Sequence, residues 1–226
     1  MPLSSNVKGI DVSHYQEKVD WFKVLTSDIK FAMAKTTDGI SFIDPEFKAN
    51  WSDMKAVNIL RGATHYYRTN NDPVAQAKHF ISVVGMLDST DLPPVLDIEA
   101  FDGVFGNEGL VRNVQIWLAN VQGALKRKPI IYTNRSFWNQ HMSGQFGDYP
   151  LWIAEYGVAE PKLPIGWSSW AFWQSTDKGT VSGIQPHVDL DFYNGTFEEL
   201  LAFRAGSSIV NPTMTPAKKN GHVWKV

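Results

Sequence analysis

No cysteine occurs among the 226 residues of the chain. Disulfide bridges are thereby excluded, and thiolate metal sites with them. Neither sign of charge dominates: 21 basic residues against 23 acidic ones leave −2. A nucleic-acid partner, which would require a basic face, is not expected. Long hydrophobic runs are also missing. None approaches the ~20 residues of a membrane span, so membrane insertion is not expected. The N-terminus, Met1-Pro-Leu-Ser-Ser-Asn-Val-Lys8, lacks the apolar core of a secretory signal. The expectation is synthesis in the cytoplasm without a signal peptide, with release by lysis or signal-independent export left open. No internal repeat or low-complexity block is visible.

What the chain does have is apolar and aromatic mass. The apolar fraction is 43%, enough for a sizeable core, and the length suits one large domain of the α/β barrel kind. There are nine Trp, seven Tyr and thirteen Phe. Trp and Tyr offer flat apolar surfaces with one polar handle, which is what the faces and hydroxyl edges of sugar rings match. Many of these rings belong to the core, yet their density makes a carbohydrate groove plausible.

Apolar β-type runs alternate with amphipathic stretches. Strands are expected at Val7–Val12, Ile29–Ala34, Ile59–Tyr66, Pro94–Glu99 and Lys128–Tyr132. Helices are expected between them at Val19–Thr26, Pro45–Val57 with Asp44 as N-cap, Asp72 or Pro73 to about Met86, and Asn107–Leu125, followed by Arg135–Met142. Then the pattern changes. Pro150–Tyr156, Ser169–Gln174 and His187–Phe192 read as strands without helices between them, and Thr196–Arg204 as a last helix. Strand–helix alternation implies parallel strands with right-handed crossovers. About eight strands imply a closed α/β barrel, irregular because some helices are missing. Residues 1–205 read as one catalytic barrel domain. Residues 206–226, rich in Ser, Pro, Thr and Lys, read as a C-terminal tail or linker stub.

In such barrels catalytic side chains gather at the C-terminal ends of the strands. The acids follow that rule. Asp11 ends the first strand, Asp97 and Glu99 the fourth, and Asp189 and Asp191 the eighth, while His65 and Tyr66 end the third. The stretch Val95-Leu-Asp-Ile-Glu-Ala100 is the most telling. A strand puts residues i and i+2 on one face, about 6.6 Å apart along the backbone at ~3.3 Å rise per residue. Carboxylates brought together repel, and the pKa of one rises. Glycoside hydrolysis uses such a pair, one acid kept protonated and one partner ionised.

These motifs resemble those of the Ch-type lysozymes, glycoside hydrolase family 25, found among phage endolysins and bacterial muramidases. Gly9-Ile-Asp-Val-Ser-His-Tyr-Gln16 resembles the family's opening G-x-D-V-S-x-x-Q. Phe31-Ala-Met-Ala-Lys-Thr-Thr-Asp-Gly39 is similar to its I-K-A-T-E-G stretch, and Phe42-Ile-Asp-Pro-Glu-Phe47 to F-x-D-P-x-F. Gly62-Ala-Thr-His-Tyr66 resembles G-A-Y-H-F. Leu151-Trp-Ile-Ala-Glu-Tyr156 resembles L-W-x-A-x-Y, Trp173-Gln174 the W-Q pair, and Val188-Asp-Leu-Asp191 the V-D-L-N stretch. The matches run in order from about Lys8 to Arg204. The resemblance implies an irregular (β/α)5(β)3 TIM-like barrel in a single domain. It implies cleavage of the β-1,4 bond from N-acetylmuramic acid to N-acetylglucosamine. Glu99 would be general acid/base, Asp97 its stabilising or nucleophilic partner, and Asp11 and Asp189 would complete the catalytic cluster. Three positions depart from the pattern: Asp38 stands for Glu, Thr64 for an aromatic, and Asp191 for Asn.

Substrate-binding candidates are Asp191, His65, Tyr66, Lys35, Asp38, Tyr132, Trp152 and Trp173. His65 has a satisfied core position as its rival reading, and the aromatics have core packing as theirs. Lys35 would neutralise part of the acidic cluster or pair with Asp38. No cofactor and no metal are expected, the partner is the glycan strand of peptidoglycan, and a monomer is expected. Two other classes compete. One is a metal-dependent hydrolase using Asp11, His65, Asp97, Glu99 and Asp189, a set with suitable ligand chemistry but no paired-His motif. The other is a non-catalytic peptidoglycan-binding module, which has no need of a repelling carboxyl pair. Phage endolysin, bacterial autolysin and secreted effector are all compatible settings.

Overall fold

The computed structural model describes residues 6–103 and 106–206. The tail assignment therefore falls, apart from Gly206, outside the described residues. Nine strands form one sheet: β1 (Val7–Val12), β2 (Phe31–Asp38), β3 (Phe42–Ile43), β4 (Leu60–Tyr66), β5 (Val95–Asp97), β6 (Ile130–Asn134), β7 (Leu151–Ala154), β8 (Phe172–Gly179) and β9 (Val188–Tyr193). The order is β1-β9-β8-β7-β6-β5-β4-β2-β3, and a further β1–β2 pairing closes eight of them into a barrel. β3 is a two-residue antiparallel addition to β2 that the sequence pattern did not signal. The helices α1 (Trp21–Leu25), α2 (Phe47–Ala56), α3 (Pro73–Val84), α4 (Asn107–Leu125) and α5 (Arg135–His141) connect the strands up to β7, and α6 (Phe197–Arg204) follows β9. Five β/α units and three further strands make up this single-domain barrel, as expected. Among the described residues no helix is long and apolar enough to cross a membrane.

Alternation along the strands sorts side chains into two layers. In β1, Ile10 and Val12 face the helices, while Val7, Gly9 and Asp11 face the barrel axis. The outer layer gathers Leu96, Ile98, Trp117, Trp138 and Ile153, among others. The inner layer holds Phe31, Met33, Val95, Ile130, Tyr132, Trp152 and Phe172. Each such buried aliphatic or aromatic side chain contributes about 1.5–3 kcal/mol. Space on the axis is tight. A Cβ on Gly9 would sit 2.3 Å from the Phe31 ring, and one on Gly62 would sit 2.3 Å from the Met33 sulfur.

Helix starts are set by polar caps. Asp72 accepts from the Ala75 N–H with Pro73 in the first turn, and Thr196 and Glu199 form a reciprocal capping box on α6. Asp44 is the exception to expectation, because α2 starts two residues later at a Glu46 N-cap. Buried Asp44 instead accepts from the backbone N–H of Glu46 and of His14, and its Oδ2 lies 2.7 Å from His14 Nδ1. It ties the β1–α1 loop to the entrance of α2. At the end of the barrel opposite the strand C-termini, Leu200 of α6 is fully buried, and Phe203 packs 5.5 Å from Phe172 and 5.8 Å from Tyr193. α6 closes that end.

Two departures from regularity position the site. The pairing of β2 with β4 shifts between Lys35 and Thr37, so Thr36 is an extra residue in a bulge. Lys35 and Asp38, three apart, thereby reach the same cavity, where an unbroken strand would send them to opposite faces. The second departure is β9, which runs antiparallel to both neighbours, β8 and β1. An all-parallel barrel would have placed Asp189 and Asp191 at a C-terminal strand end. Here Asp189 is near the start of a reversed strand, which is why it still reaches the mouth.

Candidate active site

A cavity of ≈360 Å³ opens at the mouth of the barrel. Asp11, Asp97, Glu99 and Asp189 all line it. Asp97 is the last residue of β5, and Glu99 lies two residues beyond on the same side. Asp11 and Asp189 face each other across the β1–β9 ladder. Tyr66, Tyr132, Trp152, Lys35 and Asp38 line the same cavity, with Gln174 between the Asp11 and Tyr132 walls. Gln174 Nε2 donates to Asp11 Oδ2 at 2.7 Å, and Gln174 Oε1 accepts from the hydroxyls of Tyr132 at 2.8 Å and Tyr156 at 2.6 Å. On the opposite rim Arg68 grips Asp38 with two bonds of 2.6 and 2.8 Å, and Lys35 lies 3.6 Å from the same carboxylate. Lys35 and Arg68 each sit over the Tyr66 ring, 4.8 and 4.6 Å from its centroid.

Asp11, Asp97, Glu99 and Asp189 outnumber the cations lining the cavity, and each of these four is pushed upward. Burial is the main cause for each. For Asp97 the neighbouring Glu99 adds to it, while Lys35 opposes, and the result is well above the ordinary carboxylate range. Glu99 is raised too, with the Tyr132 hydroxyl and Lys35 opposing and Asp189 adding. Asp11 stands well above its usual value because Asp191 and Asp189 add to burial, with Gln174 opposing. Asp189 is raised by burial and Asp177, while its bond with Asp11 opposes. Desolvation together with Asp97 and Glu99 takes the Tyr66 phenol to about 12, so it stays a neutral donor. Protons are thus retained in this cluster where isolated carboxylates have lost theirs.

A larger cavity, ≈760 Å³, lies at the α6 end of the barrel, but its acids are otherwise engaged. Asp148 pairs with Lys128, and Glu199 caps α6.

The model of the glycosyl hydrolases family 25 matches residues 10–184 of the sequence. The chain belongs to glycosyl hydrolase family 25. Lysozyme M1 of Streptomyces globisporus is 36% identical over 210 residues, covering 88% of this chain and 71% of that one. The protein YegX of Escherichia coli (strain K12) is 37% identical over 211 residues, covering 91% and 76%. The crystal structure of the bacterial lysozyme from Streptomyces coelicolor superposes with a TM-score of 0.87 at 32% identity, covering 91% of this chain and 100% of the other. This family 25 chain is a glycosidase.

Three of the residues named from sequence lie elsewhere in this family 25 barrel. His65 neighbours Tyr66 on β4, so alternation turns it outward. It is fully buried, with Nδ1 2.8 Å from Thr37 Oγ1 and Nε2 3.3 Å from Gln76 Oε1, and its ring stacks on Trp117. Burial drops its pKa to about 3, which keeps it neutral. Its place is in the core, away from substrate. Trp173 points outward for the same reason, 2% exposed and donating to the Glu155 carbonyl at 2.8 Å. Asp191 faces inward but one layer too deep. It pairs with Gly9 across the ladder, is 1% exposed, and accepts from Trp152 Nε1 at 2.9 Å. Its other oxygen is sealed without a protein partner. Asp191 supports the floor, out of a substrate's reach.

The sequence reading passed over Gln174, Tyr156, Arg68 and Tyr15. Gln174, Arg68 and Tyr15 line the cavity, and Tyr156 reaches it through the Gln174 bond. The signal for Gln174 was present. In β8 the period of two puts it on the inner face with Phe172, opposite to Trp173.

Proposed function

We propose that this family 25 glycosidase is an N-acetylmuramidase acting on the glycan strands of peptidoglycan, with Glu99 as general acid/base and Asp97 as its partner. The observation that carries this reading is the placement of both carboxyls at the end of β5, in a cavity where burial keeps a proton on the pair. Glu99 passes its proton to the glycosidic oxygen as the bond to the anomeric carbon breaks, and the bonding electrons leave with that oxygen. Asp97 stabilises the positive charge left on the sugar. Glu99, now a carboxylate, takes a proton from water as the water oxygen bonds to the anomeric carbon. Both carboxyls leave one strand at i and i+2 into one cavity, and this supports the retaining reading, which uses a separation of ~5–5.5 Å, over the inverting one, which uses ~6.5–9.5 Å. The neutral phenol of Tyr66 and the Arg68–Asp38 pair supply hydrogen bonds along the rim. The name of the relative Lysozyme M1 agrees with this assignment. A metal-dependent reading loses His65, the neutral nitrogen of its ligand set, to the core.

Purified cell walls provide the test. Turbidity should fall, and borohydride reduction of the products should yield muramitol, with the β-anomer appearing first by proton NMR. Glucosaminitol would make the enzyme a glucosaminidase, new free amines an amidase or peptidase, and no loss of turbidity a binding module.

A further inference from the structure

Exposed apolar side chains are ordinary one at a time, but on one side of the barrel mouth they are contiguous. Tyr15 is 74% exposed, Phe42 41% and Ile43 49%. The His14 ring joins them, its centroid 4.3 Å from that of Tyr15 and 5.8 Å from that of Phe42. The backbone beneath is fixed on both sides. Ser13 and Gln16 form a reciprocal capping box in the β1–α1 loop, and Gln16 Nε2 donates to the His187 carbonyl at 3.3 Å. In the β2–β3 hairpin the Asp44 N–H donates to the Thr36 carbonyl at 2.9 Å, and His79 Nε2 donates to the Phe42 carbonyl at 3.0 Å. Asp44 then joins the loop to the hairpin through His14. The rings are thus set in place by polar anchors while their faces stay in solvent. Two contacts make this ridge continuous with the catalytic cavity. Tyr15 lines the cavity itself. Phe42 stands opposite Asp38 across the β2–β3 ladder, so its side chain shares the face that Asp38 turns to the mouth.

We propose that the Tyr15–His14–Phe42 ridge is a stacking platform for sugar units of the glycan strand beyond those held over Asp97 and Glu99, with Tyr15 and Phe42 setting how much a long strand gains over a short one. This rests on the muramidase reading. A polymer cut within its length continues past a cavity of ≈360 Å³, and the ridge is the surface that adjoins the cavity on its Asp11 and Asp38 sides. A pyranose ring has a flat C–H face and a hydroxyl edge. The aromatic rings cover the face, and the Tyr15 hydroxyl offers a polar handle to the edge. Tyr15, Phe42 and Ile43 carry no charge, which suits a sugar face better than the carboxylates of a peptide substituent. Rings already fixed by their backbone lose little further freedom when a strand settles on them. Phe22 on α1, 75% exposed, lies outside the cavity and shows what an isolated exposed ring looks like here.

The experiment is kcat/KM on glycan oligosaccharides of four and of eight sugars, prepared from cell walls and stripped of peptide. The proteins are wild type, Tyr15→Ala, Tyr15→Phe, Phe42→Ala, Phe42→Tyr and Phe22→Ala. The readout is the ratio of the eight-sugar value to the four-sugar value. Tyr15→Ala and Phe42→Ala should each lower that ratio by about 3–10-fold, the scale of one stacked aromatic contact. The loss should fall on KM for the longer substrate, with its kcat held, because binding away from the scissile bond is equal in ground and transition states. Tyr15→Phe and Phe42→Tyr keep a ring and should keep most of the ratio, and Phe22→Ala should leave it at the wild-type value. A ratio unmoved in Tyr15→Ala overturns the platform. That variant removes a mostly exposed ring, so it decides alone if Phe42→Ala loosens the hairpin. An equal fall in Phe22→Ala also overturns it, and so does a fall seen only with peptide-bearing strands, which would give the ridge to the peptide. Wild type separates the two levels. If it cuts neither oligosaccharide, the muramidase reading falls and the platform with it; if it cuts both while the Tyr15→Ala ratio is unmoved, only the platform falls.

Discussion

The two walls of the cavity bury the same functional group and compensate it differently. The β5 wall carries Asp97 and Glu99, and the ammonium of Lys35 lowers the pKa of both. The β1/β9 wall carries Asp11, Asp189 and the deeper Asp191. For these three the opposing influences are neutral or come from within the group itself: the Gln174 amide for Asp11, the Trp152 indole for Asp191, and the neighbouring Asp11 carboxyl for Asp189 and Asp191. A point charge can hold a carboxylate ionised, whereas a lone amide or indole dipole leaves most of the burial penalty standing. The first wall is therefore suited to exchange a proton during turnover. The second is suited to keep protons and hold shape.

If that division is right, the largest effect belongs to the exchanging acid. Glu99→Gln should lose at least ~100-fold in rate with unchanged circular dichroism; activity within a few-fold of wild type would place the acid elsewhere. Asp97→Asn should be nearly as severe, and its residual activity is informative. Removing a like charge lowers the pKa of Glu99, so the basic limb of the pH–rate profile should move to lower pH. A limb that stays or rises would mean the two are uncoupled.

On the other wall the expected change is in stability. The pKa of Asp191 is raised above its ordinary 3.8, so the folded state holds a proton that the unfolded chain gives up. Wild-type stability thus declines as pH rises from near 4 through the folded-state value. Asp191→Asn does not titrate and should be more stable by about 1–3 kcal/mol at neutral pH, with the difference vanishing below the ordinary carboxylate value. Urea unfolding at a series of pH values measures this, and a constant or reversed difference would show Asp191 to be held ionised. A smaller effect is expected for Lys35→Met. Loss of that cation should raise the pKa of Glu99 and move the basic limb up by about half a pH unit, opposite in sign to Asp97→Asn. The smallest is none at all. Hydrolysis by two carboxyls needs no Lewis acid, so dialysis against EDTA should leave the rate unchanged; loss restored by a divalent ion would give the acidic cluster a metal.

What could be read from the sequence follows the same physics. The barrel was legible because strand–helix alternation is local, and the convergence of Asp11, Asp97 and Glu99 follows from parallel strands ending at one mouth. His65 and Trp173 were misplaced by naming adjacent residues together. In a strand, His65 and Tyr66 face opposite ways, as do Trp173 and Gln174, so only one of each pair reaches the axis. The bulge at Thr36 and the reversal of β9 lie in pairing with partner strands, which no local pattern encodes. Asp191 was misjudged in depth rather than direction: its face is correct, but one ladder step separates it from the cavity.

The reversed strand also decides how the molecule can be held. β9 carries the chain from the mouth back down the barrel, and α6 then closes the far end with Leu200 and Phe203. The handoff at Arg204 is thus at the opposite pole from the cavity. A resin, fluorophore or appended module joined there hangs from the base of the barrel and leaves the rim formed by Tyr15, Tyr66 and Arg68 facing outward. The same attachment made in the β1–α1 loop, beside His14, would stand at the entrance.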